Sequence, residues 1–216
     1  DLPREALSLG LEGVEIIPHI QTTPGGVGDA IYTAIDSVDG PFLVILGDML
    51  LMDSHVGPSH SGTNYASSAS NKLVEMFTNS GLPVVGVCPV DYHDLSSYGV
   101  VEISDGNIVR IVEKPDTDSA PSEFILCGRY IFPSNTKQIL EEYPLSDFGE
   151  LQSIQILNHL IRNGGLRAVS LDQFRLYDGG NPLSWLKSQI DHALRREDLR
   201  IELRAWIENR ISGLEY

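Results

Sequence analysis

The sequence predicts an α/β protein with a mostly parallel, mixed sheet that is flanked by helices. Short apolar runs alternate along the chain with segments whose apolar residues recur at helical spacing. This alternation is typical of β-α-β units, in which successive strands run in the same direction. The chain has 216 residues, which is enough for one large domain with a substantial hydrophobic core.

The first part of the chain predicts three strands and two helices. The strands are GVEIIPHI (13–20), PFLVILGD (41–48) and PVVGVCPV (83–90), because apolar and β-branched residues dominate them. A Pro-Gly-Gly turn leads into a predicted helix over 26–38. A loop rich in serine and glycine precedes a second predicted helix over 64–79.

The middle of the chain predicts a β-hairpin, a further strand and a helix. The strand-like segments YGVVEIS and NIVRIVEKP flank Asp105-Gly106, a dipeptide that favours the tight turn of a hairpin. The next predicted strand is EFILCGRYIFP (123–133), and a helix is predicted from Pro133 to Leu140.

The end of the chain returns to helices and short strands. Residues 148–165 form a predicted amphipathic helix that stops at two glycines. Two short strands are predicted within 166–180 and two helices within 182–211. We therefore expect a core over residues 1–180 and a pair of C-terminal helices over 181–216, which would pack on the core or form an oligomer interface.

Bulk composition excludes several classes of partner. The net charge is −15, and so acidic a protein repels the phosphate backbone of nucleic acids. No uncharged apolar run approaches the roughly 18 residues that a membrane span requires. Cys88 and Cys127 each lie in an apolar run and are expected to be buried and free. A reducing cytoplasm is the expected compartment.

Two predicted strands end in an aspartate. Asp48 ends LVILGD, and Asp178 lies in YDGG. Ligands bind beyond the carboxyl ends of strands in open α/β sheets, so carboxylates there could bind a cation such as Mg²⁺. Alternatively, Asp48 caps a turn and Asp178 stabilises the start of the next helix. Sequence spacing does not establish whether the two side chains converge.

Two further segments could contact a ligand. Glycines in QTTPGGVGDA (21–30) would let the backbone approach a ligand at a helix start, although an ordinary turn is the simpler interpretation. In VEKP, Glu113 and Lys114 are adjacent on a predicted strand, so their side chains should point to opposite faces. One could accept hydrogen bonds from sugar hydroxyls and the other could meet a phosphate. The alternative is an exposed strand end before Pro115. The six histidines are scattered and are interpreted as surface or structural residues.

In this order, the motifs resemble those of the bacterial sugar-1-phosphate nucleotidylyltransferases. The motifs are Q-x₄-G-x-G-x-A, LVILGD, YGVVEI, G-x-I-x-x-IVEKP, APSEFILCGRYIF, GELQ and YDGG. The resemblance runs from about Gly13 to the C-terminus. The tail HALRREDLRIELRAWI is more similar to the uridylyl members of the family than to the thymidylyl members.

The resemblance implies a Rossmann-like nucleotide-diphospho-sugar transferase fold and a Mg²⁺-dependent reaction. The phosphate oxygen of glucose 1-phosphate would attack the α-phosphorus of UTP in line, giving UDP-glucose and pyrophosphate. The alternatives are a glucose-1-phosphate thymidylyltransferase and a non-catalytic homologue that binds sugar nucleotides. The family commonly forms homodimers or homotetramers, so a homo-oligomer is expected.

The same resemblance implies roles for individual residues. Asp48 and Asp178 would be the metal ligands, and Lys114 would contact the sugar phosphate. Glu113 would accept hydrogen bonds from the sugar hydroxyls. The remaining positions would line the substrate: Gln21 and Gly26 at the nucleobase, Gly99 at the glucose ring, Gly128 and Arg129 at the sugar side, and Glu150 at the site wall.

One part of the family pattern does not occur in these 216 residues. The N-terminal Gly-rich signature, with its triphosphate-facing Arg and following Lys, is missing, as is the first strand of the sheet. We therefore expect that Asp1 is not the natural start of the gene product. We also expect this polypeptide alone to turn over poorly or not at all.

Overall fold

The computed structural model describes residues 15–52 and 68–213. The chain divides into two compact units. The first unit comprises Asp1–Pro41 and Ser134–Ile156, and the second comprises Phe42–Pro133 and Leu157–Tyr216.

The helices and strands alternate along the chain much as the sequence predicts. In chain order they are α1 Gly26–Ala34, β1 Phe42–Ile45, β2 Met49–Met52, α2 Ser68–Ser80, β3 Val84–Pro89, β4 Gly99–Ser104, β5 Asn107–Glu113, β6 Phe124–Phe132, α3 Thr136–Glu142, α4 Leu145–Phe148, α5 Gln152–Asn163, β7 Arg167–Ser170, β8 Arg175–Asp178, α6 Pro182–Arg195 and α7 Arg200–Ser212. Short 3₁₀ turns occur at Ile35–Ser37, Tyr92–Ser97, Thr117–Ser119 and Gly149–Leu151.

The second unit is built on a six-stranded mixed sheet with the order β1-β6-β3-β7-β5-β4. Strands β3 and β7 pair in parallel, and the other neighbouring pairs are antiparallel. Since β1 and β3 are both antiparallel to β6, they run in the same direction as each other. The same reasoning gives β1, β3, β7 and β4 a common direction, opposite to β5 and β6. The mixed α/β class is confirmed, and direct parallel pairs are few because β6 lies between β1 and β3.

Strand β6 pairs with three strands, more than any other described strand of this sheet. It pairs with β1 at one end, with β3 along most of its length, and with β4 where Val100 lies opposite Ile125. Cys127 of β6 and Cys88 of β3 are both buried and free, as predicted. Both belong to an apolar cluster that includes Leu73 of α2 and Leu171. Helix α2 therefore covers one face of the sheet, as a β-α-β unit requires.

The hairpin prediction is confirmed in detail. Gly99 pairs with Glu113 at the open end of β4–β5, and Ser104 pairs with Asn107 at the turn. Asp105 and Gly106 have φ angles of 50° and 74°. Two consecutive positive φ values define the type I′ turn, whose twist matches that of the flanking strands.

Two predictions for the first third of the chain are wrong. Residues 13–20 were predicted as a strand, yet the described residues 15–20 adopt no regular structure and Ile20 is 80% exposed. Apolar β-branched residues form a strand only where a neighbouring strand supplies backbone partners. The continuous apolar run of LVILGD predicts a buried strand, but Leu43 and Ile45 of β1 are exposed while Phe42 and Val44 are half-buried, because successive side chains point to opposite faces and one face is less covered.

The first unit packs around α1. Gly28 and Ile31 of α1 are buried, and the helix contacts both the 3₁₀ turn Gly149–Leu151 and α3. Lys137 of α3 forms an ion pair with Asp36, with 2.7 Å between Nζ and Oδ1. The predicted helix over 26–38 is thereby confirmed as α1 and the 3₁₀ turn that follows it.

The C-terminal helices α6 and α7 form where two helices were predicted, and they contact each other. None of the residues of α7, all of which the structure describes, is buried. Within the described residues, no helix combines the length and apolar character needed to cross a bilayer. The division of the chain at residue 180 stays a prediction.

Candidate active site

A small two-stranded sheet brings the two strand-end aspartates together. Strand β2 pairs antiparallel with β8, and Met49 lies directly opposite Asp178. The N–H of Gly179 donates to the carbonyl oxygen of Asp48 at 2.7 Å. Asp48 and Asp178, which are distant in sequence, therefore occupy adjacent backbone positions at one end of this sheet.

The carboxylate of Asp178 is held by two donors. Its Oδ2 accepts a hydrogen bond from the Tyr98 hydroxyl at 3.2 Å, and its Oδ1 accepts one from the N–H of Gly180 at 2.8 Å. Helix α6 is capped by Asn181, whose Oδ1 accepts from the N–H of Ser184 at 3.0 Å. Because Asn181 performs the capping, Asp178 does not serve as the N-cap of α6.

Asp48 follows β1 through the Leu46-Gly47 turn, and β6 holds this turn. The N–H of Leu46 donates to the carbonyl of Gly128 at 2.9 Å. Gly128 has a φ of 69°, and a Cβ atom there would lie 2.9 Å from the Cβ of Met49 and 3.0 Å from that of Leu46. Only glycine permits both this backbone conformation and this close approach. The predicted site residue Gly128 thus packs directly against both flanks of Asp48.

Arg129 also contacts the turn before Asp48. Its Nη1 donates to the carbonyls of Leu46 at 3.2 Å and Gly128 at 3.1 Å. Burial lowers the pKa of the Arg129 guanidinium from its ordinary value. The guanidinium therefore holds the backbone by hydrogen bonds where β1 ends, a role that the sequence did not predict. The predicted contact of Arg129 with a sugar stays a prediction.

The end of the β4–β5 hairpin carries three more predicted residues. The Oε2 atom of Glu113 lies 3.0 Å from where a Cβ of Gly99 would be, so the carboxylate lies over the bare backbone of this glycine. Strand β5 ends at Glu113, and Lys114 has a φ of 44°. The prediction that Lys114 continues the strand is therefore wrong, and the argument from opposite faces does not apply to it.

The backbone of Lys114 is in the left-handed conformation, which is unfavourable for residues that have a Cβ atom. Its N–H donates to the carbonyl of Tyr98 at 3.0 Å. The left-handed conformation costs a residue other than glycine about 1–2 kcal/mol, and such strain is often found at functional sites.

Two tyrosines that sequence analysis missed lie among these residues. Burial and Asp178 raise the pKa of Tyr98 to about 12, so its hydroxyl is protonated at neutral pH and donates. Burial raises the pKa of Tyr130, and the carboxylates of Glu113 and Asp48 both add to that effect. Tyr130 therefore lies within electrostatic range of a predicted sugar-binding residue and a predicted metal ligand. The available sequence signal for Tyr98 was its place directly before Gly99.

The predicted nucleobase residues lie in the first unit, where they contact each other. The Nε2 of Gln21 donates to the carbonyl of Gly26 at 3.2 Å and also to the Asp29 carboxylate. Gly26 has a φ of 82°, and a Cβ there would lie 2.9 Å from the Cα of Glu150. Gln21, Gly26 and Glu150 are thus brought together as a group.

The donor set at the aspartate pair suits a hard cation. Within residues 15–52 and 68–213, no group of three or more His, Cys, Asp or Glu side chains could hold a metal. Mg²⁺, however, is typically bound by one or two carboxylates together with substrate phosphates. The adjacent Asp48 and Asp178 fit that pattern, since they supply carboxylate oxygens from neighbouring backbone positions.

Sequence comparison finds related proteins. A family described as "Nucleotidyl transferase" matches residues 4–192. The chain is 30% identical over 195 residues to UTP–glucose-1-phosphate uridylyltransferase YngB of Bacillus subtilis. That alignment covers 88% of this chain and 61% of the relative, so the chain spans less than two thirds of the relative's length.

Solved structures of similar fold include two with nucleotide ligands. A UTP-bound UGPase from Acinetobacter baumannii has a TM-score of 0.78 and 25% identity, and the match covers 98% of this chain and 70% of that chain. A UDP-glucose pyrophosphorylase complexed with UDP-glucose has a TM-score of 0.64 and 25% identity, with 78% of this chain and 62% of that chain covered.

Proposed function

Because the chain belongs to the nucleotidyl transferase family, we propose that it transfers the uridylyl group of UTP to glucose 1-phosphate. The products are UDP-glucose and pyrophosphate. The observation that carries the proposal is the register of β2 and β8, which makes Asp48 and Asp178 neighbours. The UTP and UDP-glucose ligands of similar solved structures support the choice of substrates.

The reaction is an in-line displacement at the α-phosphorus of UTP. A phosphate oxygen of glucose 1-phosphate forms the new O–P bond, the bond from the α-phosphorus to the bridging oxygen breaks, and pyrophosphate leaves. A phosphoryl-type transfer needs little covalent chemistry from the protein, so positioning and charge neutralisation provide most of the catalysis. In this proposal the ammonium of Lys114 contacts the sugar phosphate, and the carboxylate of Glu113 accepts hydrogen bonds from sugar hydroxyls.

The proposed cofactor is Mg²⁺, held by Asp48 and Asp178. When bound, the cation would neutralise charge on the α-phosphate. The side chains themselves are prepared for this role. Asp178 is oriented by its two donors, and Asp48 is exposed at the end of a turn that Gly128 and Arg129 hold.

Charge, cysteine state and exposed apolar residues support proposals for the partners, the compartment and the oligomeric state. The net charge of −15 supports a protein without nucleic-acid partners. The buried free cysteines support a reducing cytoplasm. The exposed apolar residues of α7, such as Ile201 and Trp206, support a homodimer or homotetramer in which this helix is covered.

The test is an Asp48→Asn variant of the natural gene product, with Asp39→Asn, an exposed aspartate outside the proposed site, as the control. Turnover is followed as pyrophosphate release, and UDP-glucose binding is measured by calorimetry with and without Mg²⁺. Asp48→Asn should lower turnover by at least about 100-fold, because metal assistance supplies several kcal/mol. It should also abolish the Mg²⁺-dependent part of UDP-glucose binding, a readout that does not require turnover. Unchanged values at saturating Mg²⁺ would refute the assignment.

Two comparisons separate this proposal from its alternatives, and a third experiment tests the placement of Lys114. A preference for dTTP over UTP would identify a thymidylyltransferase, which the tail sequence disfavours. Lys114→Ala should weaken glucose 1-phosphate binding more than UTP binding, and equal losses would contradict its placement. If UDP-glucose binds without any turnover in the natural gene product, the protein is a binding homologue.

A further inference from the structure

We propose that Tyr98 is a positioning residue that fixes the metal carboxylate Asp178 and the phosphate-binding Lys114 relative to each other. The inference rests on the proposed function, because it assigns the support of that same site. Tyr98 is not itself a ligand in this proposal. It acts through the two residues that contact the metal and the substrate.

The first link is the hydrogen bond from the Tyr98 hydroxyl to Oδ2 of Asp178, at 3.2 Å. The other carboxylate oxygen accepts from the N–H of Gly180 at 2.8 Å. Each oxygen of Asp178 therefore has a donor, and together the two donors select one rotamer of the side chain. Without the hydroxyl, the bond from Gly180 alone would leave the carboxylate free to rotate out of this orientation.

The second link is through the backbone of the same residue. The carbonyl of Tyr98 accepts from the N–H of Lys114 at 3.0 Å, at the position where Lys114 has its φ of 44°. The next residue, Gly99, pairs with Glu113. Tyr98 thus anchors the turn that directs Lys114 and also connects that turn to Asp178.

The third link is packing. The half-buried Tyr98 ring packs against an apolar cluster of Met49, Leu95, Val100 and Ile125. Leu46 packs against the same cluster. Leu46 and Met49 flank Gly47 and Asp48 in sequence, so one cluster supports both Tyr98 and the segment that carries the second metal carboxylate. The three links connect the carboxylate of Asp178, the backbone of Lys114 and the residues that flank Asp48 to one tyrosine and its packing cluster.

Groups that hydrogen-bond to metal ligands commonly change metal affinity by 10–100-fold when they are removed. Tyr98→Phe removes the hydroxyl and keeps both the ring and the backbone carbonyl. It should therefore release Asp178 while it leaves the turn at Lys114 and the apolar cluster in place. We expect about a 10-fold loss of metal affinity, with UDP-glucose affinity in the absence of metal unchanged.

The experiment uses Mn²⁺ as the probe, with its binding measured by electron paramagnetic resonance in the presence of UDP-glucose. Tyr92→Phe is the matched control, because the Tyr92 hydroxyl also donates to an aspartate, Asp118, outside the proposed site. Tyr92→Phe should bind Mn²⁺ as the unmodified protein does. Metal-free UDP-glucose affinity, measured on each variant, reports that the fold is retained.

Asp48→Asn separates failure of the inference from failure of the proposed function. If Asp48→Asn abolishes Mn²⁺ binding and Tyr98→Phe leaves it unchanged, the site is right and the role of Tyr98 is refuted. If Asp48→Asn binds Mn²⁺ normally, the metal site is refuted, and the inference with it. If Tyr98→Phe and Asp48→Asn both lose Mn²⁺ affinity and Tyr92→Phe does not, the metal site and the role of Tyr98 are both supported.

Discussion

The close contact between β6 and the turn that carries Asp48 makes Gly128→Ala an informative substitution. A methyl group at Gly128 would lie 2.9 Å from the Cβ and the Cγ of Met49 and 3.0 Å from the Cβ of Leu46. The first two of these neighbours belong to the start of β2, and the third belongs to the turn. The turn and strand would therefore have to move, and Asp48 lies between them.

The expected loss of stability has two parts. Alanine at a φ of 69° pays about 1–2 kcal/mol for the left-handed conformation. Crowding a packed site adds about 1–3 kcal/mol. The total of about 2–5 kcal/mol is a large part of the 5–15 kcal/mol that stabilises a typical domain, so the variant should fold but unfold at markedly lower denaturant.

Gly81→Ala is the matched control. Gly81 follows α2 with a φ of 67°, nearly the same as that of Gly128, and a Cβ there would meet nothing within 4 Å. This control measures the conformational cost alone. Urea unfolding of both variants, followed by circular dichroism, should show Gly128→Ala to be less stable than Gly81→Ala by about 1–3 kcal/mol.

Metal-dependent binding of UDP-glucose provides a second measurement on the same two variants. Gly128→Ala should weaken the Mg²⁺-dependent part of UDP-glucose binding, because Asp48 is displaced, and Gly81→Ala should not. Equal stability of the two variants would refute the close approach of β6 to the turn, and normal metal-dependent binding in Gly128→Ala would refute its role in placing Asp48.

Three further predictions concern other contacts of the second unit. Lys114→Gly should be more stable than Lys114→Ala by about 1 kcal/mol in urea unfolding, because glycine relieves the left-handed strain while both lack the amine; equal stabilities would contradict the positive φ. Gly99→Ala should raise the Kd for UDP-glucose, since a methyl there meets the carboxylate of Glu113 at 3.0 Å, and an unchanged Kd in calorimetry would argue against that contact. The hydrogen bond from Tyr177 is the main cause that holds the pKa of Asp191 below its ordinary value, and Arg175 lowers it further. The ionised carboxylate therefore stabilises the fold above the unfolded pKa of about 4, and this stabilisation is lost as the pH falls. Asp191→Asn should therefore lower the free energy of unfolding by about 1 kcal/mol at pH 7 and progressively less below pH 4; a difference that does not change with pH would exclude the ionised carboxylate as its source.

Local patterns were sufficient to predict most elements of the fold, because helices and hairpins depend on neighbours in sequence. The hairpin at Asp105-Gly106 is an example, since the turn dipeptide itself favours the required φ angles. The position of β6 between β1 and β3 had no such signal. It depends on pairing between distant segments, which alternation of apolar residues does not encode. Strand β2 was missed for the same reason, because MLLM (49–52) becomes a strand through its pairing with β8.

The same contrast between local sequence signals and long-range pairing applies to the candidate site. Asp48 and Asp178 could be identified from their places at strand ends, but their adjacency comes from the β2–β8 register, which spans most of the chain. The place of Tyr98 directly before Gly99 was a signal, but nothing in the sequence indicates that its hydroxyl reaches Asp178, since tyrosines are also common in ordinary cores. Lys114 was placed on a strand because nothing in VEKP signals a left-handed backbone.

The pairing of β1 with β6 also has a consequence during synthesis on the ribosome. Phe42 of β1 pairs with Phe132 of β6, 90 residues later in the chain. At about 5–20 residues per second, the partner of β1 is translated roughly 5–18 s after β1 itself. Throughout that interval Phe42–Ile45 lacks the partner with which it pairs in the described sheet, so its backbone N–H and C=O groups on that edge are open to pairing with other chains.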